Sequence, residues 1–239
     1  MDNSVTVGIH QPNFIPWIGY FSKIYQSDIF IFLDDVQFIK TGSNYTNRVA
    51  INMHGIPHYI TIPIKRGSGV QKISNTQFLN EKWKKKVIGT LQANYAKSPY
   101  FLEHKDFVWE LINFKADNLA TYNIHTIEAI SKALNFNTKF IQSSTFNLVS
   151  TSTQRLIDLV HKVDGKIYIS GEGGDEYQEH TMYKEANIDV IYNKIPHLTY
   201  AQPNAKEYVA GLSIIDSIFN IGLKELQSYF LINSKDKIC

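Results

Sequence analysis

The densest concentration of polar and aromatic groups is His10-Gln11-Pro12-Asn13-Phe14-Ile15-Pro16-Trp17-Ile18-Gly19-Tyr20-Phe21. An imidazole titrates nearest to neutrality, so His10 is suited to bind a phosphate, act as a base or orient a ligand. Gln11 and Asn13 add hydrogen-bonding groups, while Trp17 and Tyr20 add rings that stack on bases or sugars. A plainer reading is a rigid proline loop whose imidazole closes the end of a strand.

A second cluster is acidic. Asp34-Asp35 follows an apolar run and suits a sugar hydroxyl, a metal or an amine. It equally suits a strand-ending turn, or a structural ion pair with Arg48. Asn47-Arg48 follows a Gly/Ser/Asn loop, and Arg48 offers a fork for phosphate or carboxylate. Lys65 and Arg66 are cations of the same kind, whereas Lys84-Lys85-Lys86 reads as the solvated face of a helix.

The third cluster is Ser170-Gly171-Glu172-Gly173-Gly174-Asp175-Glu176-Tyr177. Glycines such as Gly171 and Gly174 let a backbone approach a ligand closely, and Ser170, Asp175 and Tyr177 are placed to touch it. The spacing matches neither the P-loop lysine motif nor the GxGxxG fingerprint, and no nucleophile elbow of the G-x-S-x-G type is present. The eight histidines form no zinc spacing, and the single cysteine, Cys239, is the last residue, so no metal is expected.

These groups need a scaffold. Val5 to Ile9 is a short β-branched run, Trp17 to Tyr25 has helical spacing, and Asp28 to Leu33 is a second apolar run. Strand, loop, helix and strand make a βαβ unit with parallel strands. Val49–Asn52 and Tyr59–Ile64 predict a hairpin-like, β-rich insertion over about 40–70. Helices are expected over 80–94, from Tyr100 or Phe101 through about Leu119, and over 124–134 and 153–162. Further strands are expected near 139–141, 167–170 and 190–192, and two short helices at 214–219 and 224–230. Ser213 and Asp216 either dock the first of these or face a cleft. The fold class is α/β: one domain, residues 1–239, with a largely parallel Rossmann-like sheet flanked by helices and a helical section over about 80–135. In such sheets ligands sit at the carboxyl ends of the strands, where His10, Asp34 and Ser170 fall.

The chain has 239 residues, 44% hydrophobic and 19% charged, an ordinary globular composition. A formal net charge of +2 argues against coating nucleic acid, so tRNA gains little support, although Lys84 to Lys86 would form a small patch. No apolar run is long enough to span a bilayer and no signal peptide is evident; neither a span nor membrane insertion is expected, and the expected location is the cytoplasm. Aromatic residues make up 13%, enough for stacking surfaces as well as core. The sequence leaves oligomeric state open.

The chain resembles the WbqC-like protein family. The likeness rests on His10-Gln11-Pro12 with Pro16-Trp17 and Gly19-Tyr20-Phe21, on Asp34-Asp35-Val36-Gln37-Phe38, on Asn47-Arg48, on Ser170-Gly171 with Gly174 and Tyr177, and on Leu212-Ser213-Ile214-Ile215-Asp216. It implies a link to bacterial surface polysaccharide (O-antigen) biosynthesis. The expected activity is amide-forming transfer of an acyl or aminoacyl group, such as glycine, to a nucleotide-linked amino sugar. His10 would be the base or oxyanion partner, Asp34 and Asp35 would hold the amine or sugar hydroxyls, and Arg48 and Lys65 would take phosphate or carboxylate. ATP, acyl-CoA and aminoacyl-tRNA all stay open as the acyl source. The alternatives are a non-catalytic nucleotide-sugar or glycan-binding accessory protein, and a hydrolase. The first βαβ unit and the 169–178 segment also look like pantothenate synthetase and related nucleotidylyltransferases. The chain departs from them in having Trp17 or Tyr20 where a second histidine belongs, and Gly173 where a lysine belongs.

Overall fold

A computed structural model describes residues 4–39, 45–67, 69–171, 179–193, 198–203 and 205–233. The protein is α/β. Five strands form one parallel sheet: β1 (Thr6–His10), β2 (Ile29–Phe32), β5 (Lys139–Gln142), β6 (Ile167–Ser170) and β7 (Asp189–Tyr192), in the order β5-β2-β1-β6-β7. Strand β1 leads to helix α1 (Ile18–Gln26) and then to β2. Between β2 and β5 the chain forms an antiparallel hairpin, β3 (Arg48–Met53) with β4 (Ile56–Thr61), and three helices, α2 (Lys82–Tyr95), α3 (Phe101–Asn113) and α4 (Leu119–Ala133). Helix α5 (Ser152–Lys162) joins β5 to β6, α6 (His180–Glu185) joins β6 to β7, and α7 (Ile214–Asn233) closes the described part.

The strands carry apolar residues on both faces, as a parallel sheet covered on both sides requires. Phe30 and Phe32 face the larger cluster, built with α1, the hairpin, α2, α3, α4 and α7. Val7, Ile9, Ile31 and Tyr168 face the smaller one, under α5 and α6. Gly8 sits where β1 meets the α1–β2 connection. A Cβ there would run into Ser27 Oγ and lie 2.8 Å from the Phe30 ring, so only glycine fits without displacement.

As expected, two terminal helices follow one another within α7, separated at Gly222, whose φ of 80° and ψ of 164° are not helical. Two expectations change. The helix expected to run through about Leu119 ends at Asn113, and the one expected from 124 starts earlier, at Leu119, where Asn118 Oδ1 accepts from Thr121 N at 2.9 Å. The lysine run is split, since Lys84 is buried, donates to the Phe114 carbonyl at 2.8 Å and pairs with Glu81, while Lys85 and Lys86 are exposed.

Candidate functional site

The strand order reverses direction at β1: the chain moves from β1 outward to β2 and β5, then returns to the other side of β1 for β6 and β7. The crevice outside the carboxyl ends of β1 and β6 is therefore the switch point where α/β sheets bind ligands. Thr6, Val7 and Gly8 pair with Ile167, Tyr168 and Ile169; continuing that register sets His10 level with Gly171. The first and third sequence clusters thus meet at one edge.

His10 is half-buried and ends β1. Its Nδ1 lies 3.0 Å from the Gln11 carbonyl oxygen, which also accepts from Tyr20 Oη at 2.9 Å. A carbonyl only accepts, so the proton sits on Nδ1 and Nε2 keeps its lone pair. Among the described residues Nε2 has no hydrogen-bond partner. Burial, with the Lys23 charge beside it, holds the imidazole down to about 4, against a weak opposing effect of the Gln11 bond. It is therefore neutral at pH 7.

Lys23 carries no signal in the sequence beyond its place three residues after Tyr20 on the inward face of α1. It is 4% exposed, donates from Nζ to the Ile9 carbonyl at 2.8 Å and lies 5.4 Å from the Tyr168 ring centroid. Burial lowers its ammonium to about 7. Asn193 was also missed. Its backbone N–H donates to Ser170 O at 2.8 Å and its Nδ2 to Gly19 O at 2.9 Å, fastening the end of β6 to the start of α1.

The rings divide into core and mouth. Phe14 is fully buried against Trp83 and Tyr122, and Tyr20 is 2% exposed, so their faces are not free to stack on a ligand. Trp17 and Tyr45 are half-buried and meet at 5.4 Å between centroids; Trp17 lies 6.3 Å from His10. The segment after position 44 is drawn to this edge. Phe14 N donates to Tyr45 O at 3.0 Å, Thr46 Oγ1 reaches Gln11 Oε1 at 3.4 Å, and Asn123 Nδ2 donates to both Pro12 O and Thr46 O. Asn13 is buried in the same loop. Arg48 covers the Tyr59 ring at 4.8 Å, and Tyr59 hydrogen-bonds Tyr45, so Arg48 reaches the mouth through two tyrosines.

The loop itself is strained. Ile15, β-branched and fully buried, has φ 35°. Ser213 holds it there: its Oγ donates to Ile15 O at 2.8 Å, its N–H donates to Ala50 O at 2.8 Å, and Ile214 N donates to Pro16 O at 2.9 Å. Asp216 does not face the crevice. It is fully buried and accepts from Tyr95 Oη at 2.8 Å, Tyr200 Oη at 2.8 Å, Gln202 Nε2 at 3.0 Å and Asn220 Nδ2 at 3.2 Å, and burial raises its pKa despite those four donors.

Other expected groups have protein partners. Asp34 is 3% exposed, and its Oδ1 accepts from Ser143 Oγ at 3.2 Å and Ser144 N at 3.0 Å, tying β2 to the turn after β5. Asp35 is bound at both oxygens by Arg155 Nη2 at 2.7 Å, with Ser143 Oγ at 2.5 Å. Burial alone would raise its pKa; those hydrogen bonds and the Arg155 charge overcome it and hold the carboxyl below its ordinary range. The ion pair expected with Arg48 is thus made with Arg155 instead. Asn47 Nδ2 donates to Ile62 O at 2.9 Å, and Lys65 is exposed, donating to Gln77 Oε1 at 3.1 Å. Ser170 is fully buried, with Oγ donating to Gly171 O at 3.2 Å. Gly174, Asp175 and Tyr177 lie outside the described residues. No cluster of three or more potential metal ligands occurs among the described residues.

The chain is 29% identical over 218 residues, covering 90% of this chain and 94% of its relative, to the uncharacterized protein Rv1507c of Mycobacterium tuberculosis (strain ATCC 25618 / H37Rv). No solved structure matches. The sequence profile of the WbqC-like protein family matches residues 11–228, nearly the whole chain, and the protein belongs to that family.

Proposed function

We propose that this chain transfers an acyl or aminoacyl group to the amine of a nucleotide-linked amino sugar, forming an amide in the biosynthesis of a bacterial surface polysaccharide. The observation that carries the reading is His10: a neutral imidazole with its tautomer fixed by the Gln11 carbonyl, at the switch-point edge beside the half-buried rings of Trp17 and Tyr45.

The chemistry suits so weak a base. A resting sugar ammonium would not surrender its proton to an imidazole held near 4. The free amine attacks the donor carbonyl, and its nitrogen becomes strongly acidic as the C–N bond forms. His10 Nε2 takes the proton at that stage, and the donor's leaving group departs with the bonding pair. Trp17 and Tyr45 supply apolar faces for a sugar or base. Ser213 keeps the loop in register through Ile15. In this reading Asp34 and Asp35 hold the sheet edge rather than the substrate, because Asp34 Oδ1 and both Asp35 oxygens are engaged by Ser143, Ser144 and Arg155.

The test offers purified protein a panel of nucleotide-linked amino sugars with one of three donors: glycine and ATP, an acyl-CoA, or glycyl-tRNA. An amide detected by mass spectrometry, and lost in His10→Ala, supports the proposal. Absence of product with every donor, alongside tight calorimetric binding of a nucleotide sugar, replaces it with a binding protein.

A further inference from the structure

Charge is distributed very unevenly along this chain. Residues 40–97 hold ten of its 24 basic side chains and one of its 22 acidic ones, a formal +9 that leaves the rest at −7. That one acid, Glu81, is paired with the buried Lys84. Lys82, Lys85 and Lys86 stand exposed on α2 and, with Met53, line an open groove of about 610 Å³.

The same region exposes aliphatic side chains. Met53 pairs across the hairpin with Ile56, which is 66% exposed. His58 and Tyr59 continue the row and share a 230 Å³ cleft with Lys86 and Thr90 of α2. Aliphatic tips bordered by lysines match the boundary of an anionic bilayer, where ammonium groups meet headgroups and apolar tips enter the interface. RNA fits less well. It would use an exposed aromatic face, and the Tyr59 ring already lies under the Arg48 guanidinium at 4.8 Å.

We propose that the β3–β4 hairpin and the lysine face of α2 dock this protein peripherally on an anionic lipid surface. The proposal goes beyond the catalytic reading and does not depend on it. It brings the crevice mouth near the headgroups, because Tyr59 is hydrogen-bonded to Tyr45 and Tyr45 meets Trp17. No spanning segment is involved: no helix among the described residues is long and apolar enough to cross a membrane.

The test is co-sedimentation of the full chain with vesicles of phosphatidylcholine, alone or mixed with phosphatidylglycerol. Binding is expected only to the mixed vesicles, and should weaken in high salt. Lys82→Gln, Lys85→Gln and Lys86→Gln together should lower the partition coefficient about a hundredfold, roughly a factor of five per lysine. Ile56→Ser is the second variant and should reduce the part of binding that salt leaves. Circular dichroism melts confirm that both variants fold. Equal binding to neutral and mixed vesicles overturns the proposal, as does no binding to either, or an unaltered lysine variant. Bulk tRNA retained on a filter by protein that ignores vesicles overturns it in favour of RNA.

Discussion

Replacing Lys23 with Met removes a buried ammonium while keeping a long, unbranched side chain in its place. In the native protein the lysine titrates near 7; in the unfolded chain it titrates in the usual lysine range, above 10. Between those values the unfolded state holds a proton that the native state has released, so wild-type stability rises with pH. The slope approaches about 1.4 kcal/mol per pH unit, and integrating from pH 7 to 9 gives a gain of about 2 kcal/mol. Lys23→Met lacks this contribution. Urea unfolding of both proteins at pH 7 and pH 9 isolates it, because every other titrating group cancels in the comparison. Identical pH dependence in the two proteins would refute the assignment of Lys23 as a buried, depressed lysine. The same substitution removes the positive neighbour of His10, so the imidazole should titrate higher in the variant by NMR, still below its ordinary value because burial remains the larger cause.

Other consequences concern the same edge. If His10 is the base, His10→Ala should lower turnover about a hundredfold or more, and the acid limb of the wild-type rate profile, once divided by the fraction of substrate present as free amine, should fall only as pH drops through about 4; a corrected limb near 6.5 would remove His10 from that role. Ser213→Ala leaves the strained Ile15 carbonyl without its hydroxyl donor and should cost about 1–2 kcal/mol in denaturant unfolding, with weaker nucleotide-sugar binding by calorimetry. Arg155→Gln strands Asp35 at 13% side-chain exposure and should cost about 2–4 kcal/mol at pH 7. Since Asp35 is held below the usual carboxylate range, its pair stabilises fully above that range and is lost as pH falls through it, so wild type and variant should converge in acid.

The first βαβ unit was legible because its signals are local: a β-branched run, two prolines and helical spacing sit in adjacent windows. The meeting of His10 with the Ser170-Gly171 turn followed from strand ends sharing one edge. What stayed hidden depended on distant partners. Asp35 lies 120 residues from Arg155, so the nearer Arg48 looked the natural partner. Lysines on helices usually read as solvated, and neither Lys23 nor Lys84 carries a local mark of the carbonyl that accepts from it. Phe14 shares a polar segment with Trp17, yet only the packing of α2 and α4 shows that its ring belongs to the core.

The strand order also sets a schedule for biogenesis. The central strand β1 is made first, but its partner β6 follows some 160 residues later, and β5 joins β2 only after the hairpin and three helices have been synthesised. Contacts of such long range form slowly and leave apolar strands uncovered in the meantime. The His10 loop waits longest, because the hydroxyl that secures Ile15 is supplied by Ser213. The His10 edge is therefore completed only after Ser213 has been synthesised, when a nascent chain already holds most of the helices described above.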